Sequence, residues 1–183
     1  MFALIENGAV KQYPYSLFEI RQANPNTSFP PAVSDATMAE YGAQRVYFAT
    51  QPVFDEKTQA LVEGTPVFST QDKRWTQTWT VRQKTAEELA AQAQALQNSI
   101  VDATQLRLDT FAQTRNYNGI LSASTYATSN VARFQAEGEY CVNQRDATWA
   151  KLYQILAEVQ AGTRPMPTGY ADIEAELPVL VWP

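Results

Sequence analysis

Between residues 86 and 118 the chain carries neither glycine nor proline. So long a stretch without helix breakers is a helix unless its apolar pattern forbids one. Here the pattern agrees: Leu89, Ala93, Leu96, Ile100 and Ala103 recur in alternating steps of four and three, the heptad spacing of a helix that packs along one seam. Thr85-Ala86-Glu87-Glu88 stands in front of it as a capping box, with two carboxylates near the positive end of the helix dipole. The spacing predicts a helix of about thirty residues, roughly 45 Å long. After Ala103 the stripe moves to Leu108 and Phe111, a phase change at which the helix twists or changes partners.

A second long helix is expected from a cap at Ser129 to a stop at Gly162. Its apolar positions are Val131, Phe134, Cys141 or Val142, Trp149, Leu152, Leu156 and Val159, with Gly138 a weak point in the middle. Cys141 lies on or beside that stripe and reads as a small core residue rather than a nucleophile. Residues 116–128 read as the loop between the two helices, which together make an α-hairpin. The Leu89-Leu96-Ile100 stripe can face Val142-Trp149-Leu156 within one chain, or the same stripe in other copies as a trimeric coiled coil. Past Gly162, Pro165 and Pro167 end helical structure, and a short helix reaching Leu177 precedes an apolar tail.

Ahead of residue 84 the periodicity is two rather than 3.6. Phe2 to Glu6 and Ala9 to Tyr13 flank Asn7-Gly8, the strongest two-residue hairpin signal. Ser16-Leu17-Phe18-Glu19 is a capping box for a short helix, and Ser34 caps another that Gly42 closes. Strands are expected over 44–49, 58–63 and 74–82, with Gly64 and Pro66 marking a bend or an edge. In the last strand Trp75, Gln77, Trp79 and Val81 face one side and Thr76, Thr78 and Thr80 the other. The two tryptophans read as sheet core, with a stacking platform for sugar or peptide as the alternative. The expected fold class is therefore α+β: a small β-rich unit over 1–83, then over 84–183 a long helical hairpin with an extended tail.

Composition limits the chemistry. Among 183 residues there is no histidine and a single cysteine, and the net charge is −5. That removes Ser-His-Asp and Cys-His catalysis, His-ligated metals, and an internal disulfide. The acidic balance leaves no electrostatic footprint for nucleic acid; Lys73-Arg74 with Arg82 and Lys84 is too small a basic cluster to offset it. No basic leader opens the sequence, and no apolar run approaches the ~18 residues of a membrane span. Asp172, Glu174 and Glu176 stand two apart and fall on different helix faces. Glu137 and Glu139 fail in the same way, so all five are expected on solvated faces. No P-loop, EF-hand or dinucleotide fingerprint occurs. No catalytic residue, cofactor or metal is expected.

Two sets of motifs point to a family. The first comprises Asn7-Gly8, Tyr13-Pro14-Tyr15, Asn24-Pro25-Asn26-Thr27-Ser28-Phe29-Pro30 and Trp75-Thr76-Gln77-Thr78-Trp79. The second comprises Asn118-Gly119-Ile120-Leu121-Ser122-Ala123, Tyr126, Arg145-Asp146, Trp149, the run Ala161-Gly162-Thr163-Arg164-Pro165-Met166-Pro167 and the closing Leu180-Val181-Trp182-Pro183. Both resemble small proteins of tailed bacteriophages, encoded near tail-fibre genes and described as tail-fibre assembly chaperones or fibre-associated tail proteins. One departure is Gln144, where that family's second module carries an aromatic before Arg145-Asp146.

The resemblance implies a non-enzymatic protein that binds the tail fibre and assists its folding or assembly, with the option of remaining on it. It implies the host cytoplasm during assembly, and the virion tail if the protein stays on the fibre. Unfinished β-rich fibres expose unpaired edges that aggregate, which an acidic, cofactor-free partner would cover. The alternative is a structural virion component joining fibre, baseplate or tail, for which the heptad helix suits a trimeric connector. A carbohydrate-cleaving tail enzyme is the third. For partner binding the expected residues are Ile120, Leu121 and Tyr126 at the hairpin tip, with Trp182 in the tail. For the first three, the alternative is burial over the helix ends or under the tail.

Overall fold

Asn7 and Gly8 both take positive φ, 51° and 76°, which is the backbone of a two-residue hairpin turn. They join β1 (Phe2–Glu6) to β2 (Ala9–Gln12). A computed structural model describes every residue from Met1 to Pro183, and divides them into two units, Met1–Ala86 and Glu87–Pro183.

In the first unit α1 (Leu17–Ala23) begins on a complete capping box, Ser16 with Glu19, and α2 (Asp35–Glu40) begins on Ser34. These satisfy amide groups that the first helical turn leaves without partners. β3 (Ala43–Tyr47), β4 (Gln59–Ser69) and β5 (Arg74–Gln83) complete one five-stranded sheet in the order β2-β1-β3-β5-β4. β3 and β5 run parallel and the other neighbours antiparallel, so the sheet is mixed. Tyr15, Ile20, Met38 and Ala43 form its buried cluster under the short helices, with Phe2, Leu4, Phe29 and Tyr41 packed around them. Burying Ile20 completely is worth about 1.5–3 kcal/mol on transfer grounds.

The alternation expected in β5 places Trp75 opposite Val46 and Phe68, all on one face. Gln77 is buried there, while both tryptophans are half-buried. The indole N–H of Trp79 donates to the Ala49 carbonyl at 3.3 Å. The outer strands of the sheet approach one another: the Tyr13 hydroxyl, just beyond β2, donates to Glu63 of β4. The β-rich region is thus a mixed sheet curling towards closure.

The long helical hairpin expected over 84–183 does not form. The second unit holds α3 (Ala86–Gln113), α4 (Ile120–Ser124), a 3-10 turn (Thr125–Thr128), α5 (Ala132–Gln160) and α6 (Ala171–Glu174). The expected connecting loop is therefore mostly helical, and it packs on α5 instead of linking two paired helices. Asp109 of α3 accepts the Ile120 N–H at 2.8 Å, so a cap supplied from another helix starts α4.

The seam also differs from the heptad. On α3 the buried residues are Ile100, Thr104, Leu108 and Ala112, in steps of four, and Leu89 is 40% exposed. On α5 they are Glu137, Gly138, Cys141, Thr148, Leu152 and Ile155. One cluster joins Leu108 and Ala112 to Ile120, Ala123 and Cys141. Another joins Ile100 to Leu152, Ile155 and Ile173 of α6. Each long helix spends its apolar face on short elements as well as on the other, which a strict two-helix seam cannot do. No helix is long and apolar enough to cross a membrane.

Candidate partner-binding surface

The segment 116–128 and the residues facing it on α5 hold most of the candidate site. Ile120 starts α4 and is fully buried against Leu108, Ala112, Ala123 and Cys141. It is a core residue and presents nothing to a partner. Leu121, one step round the same short helix, is 64% exposed. Tyr126 lies in the 3-10 turn with its ring 5.4 Å from that of Tyr117 and 5.8 Å from that of Phe134. Val131 and Phe134, at the start of α5, are exposed as well. The expected cap at Ser129 gives way to Val131 as the N-cap residue, although the Ser129 hydroxyl still accepts the Val131 N–H at 3.2 Å.

Trp182 belongs to the same end of the unit but faces inward. Its ring stacks on Phe111 at 4.2 Å, and its N–H donates to the Thr114 hydroxyl at 2.9 Å. The Arg115 guanidinium lies 4.9 Å from its centroid. The tail is held by two further bonds, from Arg107 to the Pro178 carbonyl and from the Val181 N–H to the Tyr140 hydroxyl, each 2.8 Å. Of the four expected partner residues, then, Leu121 and Tyr126 are on the surface, Ile120 is core, and Trp182 is a half-buried clasp.

Beneath this surface sits a group that the sequence placed in solvent. Glu137 is 2% exposed and accepts from Arg115, from Arg133 at 2.9 Å and from the Tyr117 hydroxyl at 2.7 Å. Burial works to raise its carboxyl pKa, but the bonds from Tyr117, Arg133 and Arg115 outweigh it and bring it down to about 2. Burial and the bond to Glu137 push the Tyr117 phenol up to about 12. The signal for this network was Arg133, one helical turn before Glu137; comparing carboxylates only with each other missed it.

Cys141 is fully buried, and burial together with the charge of Glu137 raises its thiol to about 11. A thiolate is the reactive form, so native protein is expected to resist iodoacetamide at neutral pH and to react fully once unfolded. Rapid alkylation of the native chain would place this cysteine outside the core. Nowhere do three or more Cys, Asp or Glu side chains converge in a way that could hold a metal ion. Comparison of the chain with family models, with curated proteins and with solved structures gave no match.

Proposed function

We propose that this chain is a non-enzymatic tail protein of a tailed bacteriophage that binds the tail fibre and assists its folding or assembly. The motif resemblance supports that reading. The observation that carries it is the meeting of motif residues from distant parts of the sequence. Ile120, Ala123, Trp149 and Trp182 share one apolar cluster, spanning positions 120 to 182. Beside it, Leu121, Tyr126, Val131 and Phe134 leave apolar side chains exposed. Scattered exposed apolar residues are ordinary, whereas a concentration at one end of a unit marks an interaction surface. Motifs that build one module, and that module's exposed apolar end, fit a protein whose work is binding another protein.

The test separates surface from core. Leu121→Ser combined with Val131→Ser changes two exposed side chains, so thermal stability should not fall by more than ~0.5 kcal/mol per site, and serine at the Val131 N-cap of α5 acts to raise it. Association with the trimeric fibre, measured by co-sedimentation, should weaken by about 2 kcal/mol, roughly thirtyfold. Ile120→Ser, by contrast, should lower the melting temperature without changing the affinity of the molecules still folded. Unchanged fibre binding in the double variant would remove this surface from the reading. Absence of any fibre association in the parent chain would remove the reading itself.

A further inference from the structure

The sheet of the first unit ends on β2 at one side and β4 at the other. β2 pairs only with β1 and β4 only with β5. These two outer strands nevertheless face each other across a cleft of about 330 Å³, lined by Val10, Lys11, Gln12, Tyr13, Glu63 and Thr65 with Gly64. Across it runs a side-chain bridge, from the Tyr13 hydroxyl to Glu63, and no backbone hydrogen bond links the two strands. Each therefore turns outward N–H and C=O groups towards the same gap, the Thr65 carbonyl excepted, which accepts from the Thr78 hydroxyl at 2.9 Å.

The hairpin fixes which groups these are. Glu6 and Ala9 close the two-residue turn, and Ile5 and Val10 are the next pair. The closing pair of such a turn exchanges both backbone bonds, and antiparallel pairs alternate between bonded and non-bonded. The N–H and C=O of Val10 thus point away from β1 into the cleft. A proline follows each lining segment, Pro14 after Tyr13 and Pro66 after Thr65. Proline cannot donate to a ladder, so both edges stop accepting a strand beyond those points.

We propose that this gap takes a short extended segment of a partner polypeptide as an added strand, hydrogen-bonded to β2 on one side and β4 on the other. Main-chain bonds supply the affinity in such strand addition, and alternate side chains supply the selectivity. A strand turns every second side chain to the same face. On the face shared by Glu63 and Gln77, the Glu63 Oε1 atom already accepts from Tyr13 and from Gln77 Nε2, the latter at 2.5 Å. Its Oε2 keeps capacity for another donor. The segment that fits carries a donor side chain, such as Ser, Thr, Asn or Lys, at the position facing that carboxylate. This inference stands on the sheet edges alone and does not depend on the tail-fibre reading.

A library of random short peptides displayed on a carrier, panned on the full-length chain, provides the probe. Enriched peptides should share a donor side chain at one position and bind Val10→Ala as they bind the parent. Val10→Pro removes the outward N–H while leaving the β1 ladder intact, and should weaken them about tenfold. N-methylation of alternate peptide nitrogens should weaken binding with a period of two, a readout that holds even if Val10→Pro fails to fold. Failure to enrich any peptide would overturn the proposal. So would binding insensitive to both N-methylation and Val10→Pro, which would mean side-chain recognition only. Concentration-dependent dimerisation lost in Val10→Pro would assign the gap to a second copy of the chain, and would overturn it too.

Discussion

Gly138→Ala is expected to lower the melting temperature of the helical unit by ~10 °C or more, from a loss of about 3 kcal/mol. Helix propensity alone predicts the opposite sign, because alanine in a helix interior is favoured over glycine by about 0.8–1 kcal/mol. The decisive fact is what stands beside the glycine. A Cβ there would lie 2.2 Å from the Ala127 nitrogen and 2.4 Å from the Tyr126 carbonyl carbon. Both belong to backbone, so no side chain can swing aside to make room. Either the 3-10 turn lifts off α5 or α5 bends, and either movement disturbs the cluster of Ile120, Ala123 and Cys141. Urea unfolding of the parent and the variant measures the difference. A variant as stable as the parent, or more so, would mean that the turn does not rest on this helix.

Gly138 also illustrates what could be read from the sequence. Local rules succeeded where the determinants are local. Asn7-Gly8 turns a hairpin, Ser16 and Glu19 cap α1, and the alternation of β5 sets its two faces, because each depends on neighbours a few residues away. The parallel pairing of β3 with β5 joins residues about thirty apart, Val46 with Trp75, and no local pattern encodes it. Segment 116–128 looked like a loop because α4 carries no cap of its own; its cap comes from Asp109 on another helix. Glycine at 138 looked like a defect, whereas it is the one residue that lets another backbone come so close. At the candidate site the concentration of apolar residues was legible. The direction of each was not: Ile120 and Leu121 are adjacent and have opposite fates.

Removing the buried carboxylate should cost nearly as much. Glu137→Ala leaves the Tyr117 hydroxyl without an acceptor and Arg115, whose side chain is 29% accessible, without its partner, which together cost about 2–3 kcal/mol. Arg133 is well exposed, its side chain 69% accessible, so water compensates it and it adds little. The pH dependence gives an independent signature. The carboxyl of Glu137 is held at about 2 in the folded chain, below the ordinary glutamate value of about 4.3 in the unfolded one. Its contribution is therefore fully present above that ordinary value and is lost as pH falls towards 2. Tyr117 works at the other end. Its phenol is raised to about 12, so its contribution holds below the ordinary value of about 10 and disappears as pH rises through 12. Stability of the parent should thus fall on both limbs. In Glu137→Gln the acid limb should flatten and the alkaline limb should weaken, since Tyr117 no longer donates to an anion. Glu176 is the control, because its carboxyl is also brought down to about 2, by Arg164 above all. Its ion pairs lie at the surface, where they contribute little, so Glu176→Gln should leave the alkaline limb untouched and the midpoint nearly so. Urea midpoints measured from pH 2 to pH 11 for the three proteins decide the matter. An acid limb in Glu137→Gln as steep as in the parent would mean that the carboxylate is not anchored by this network.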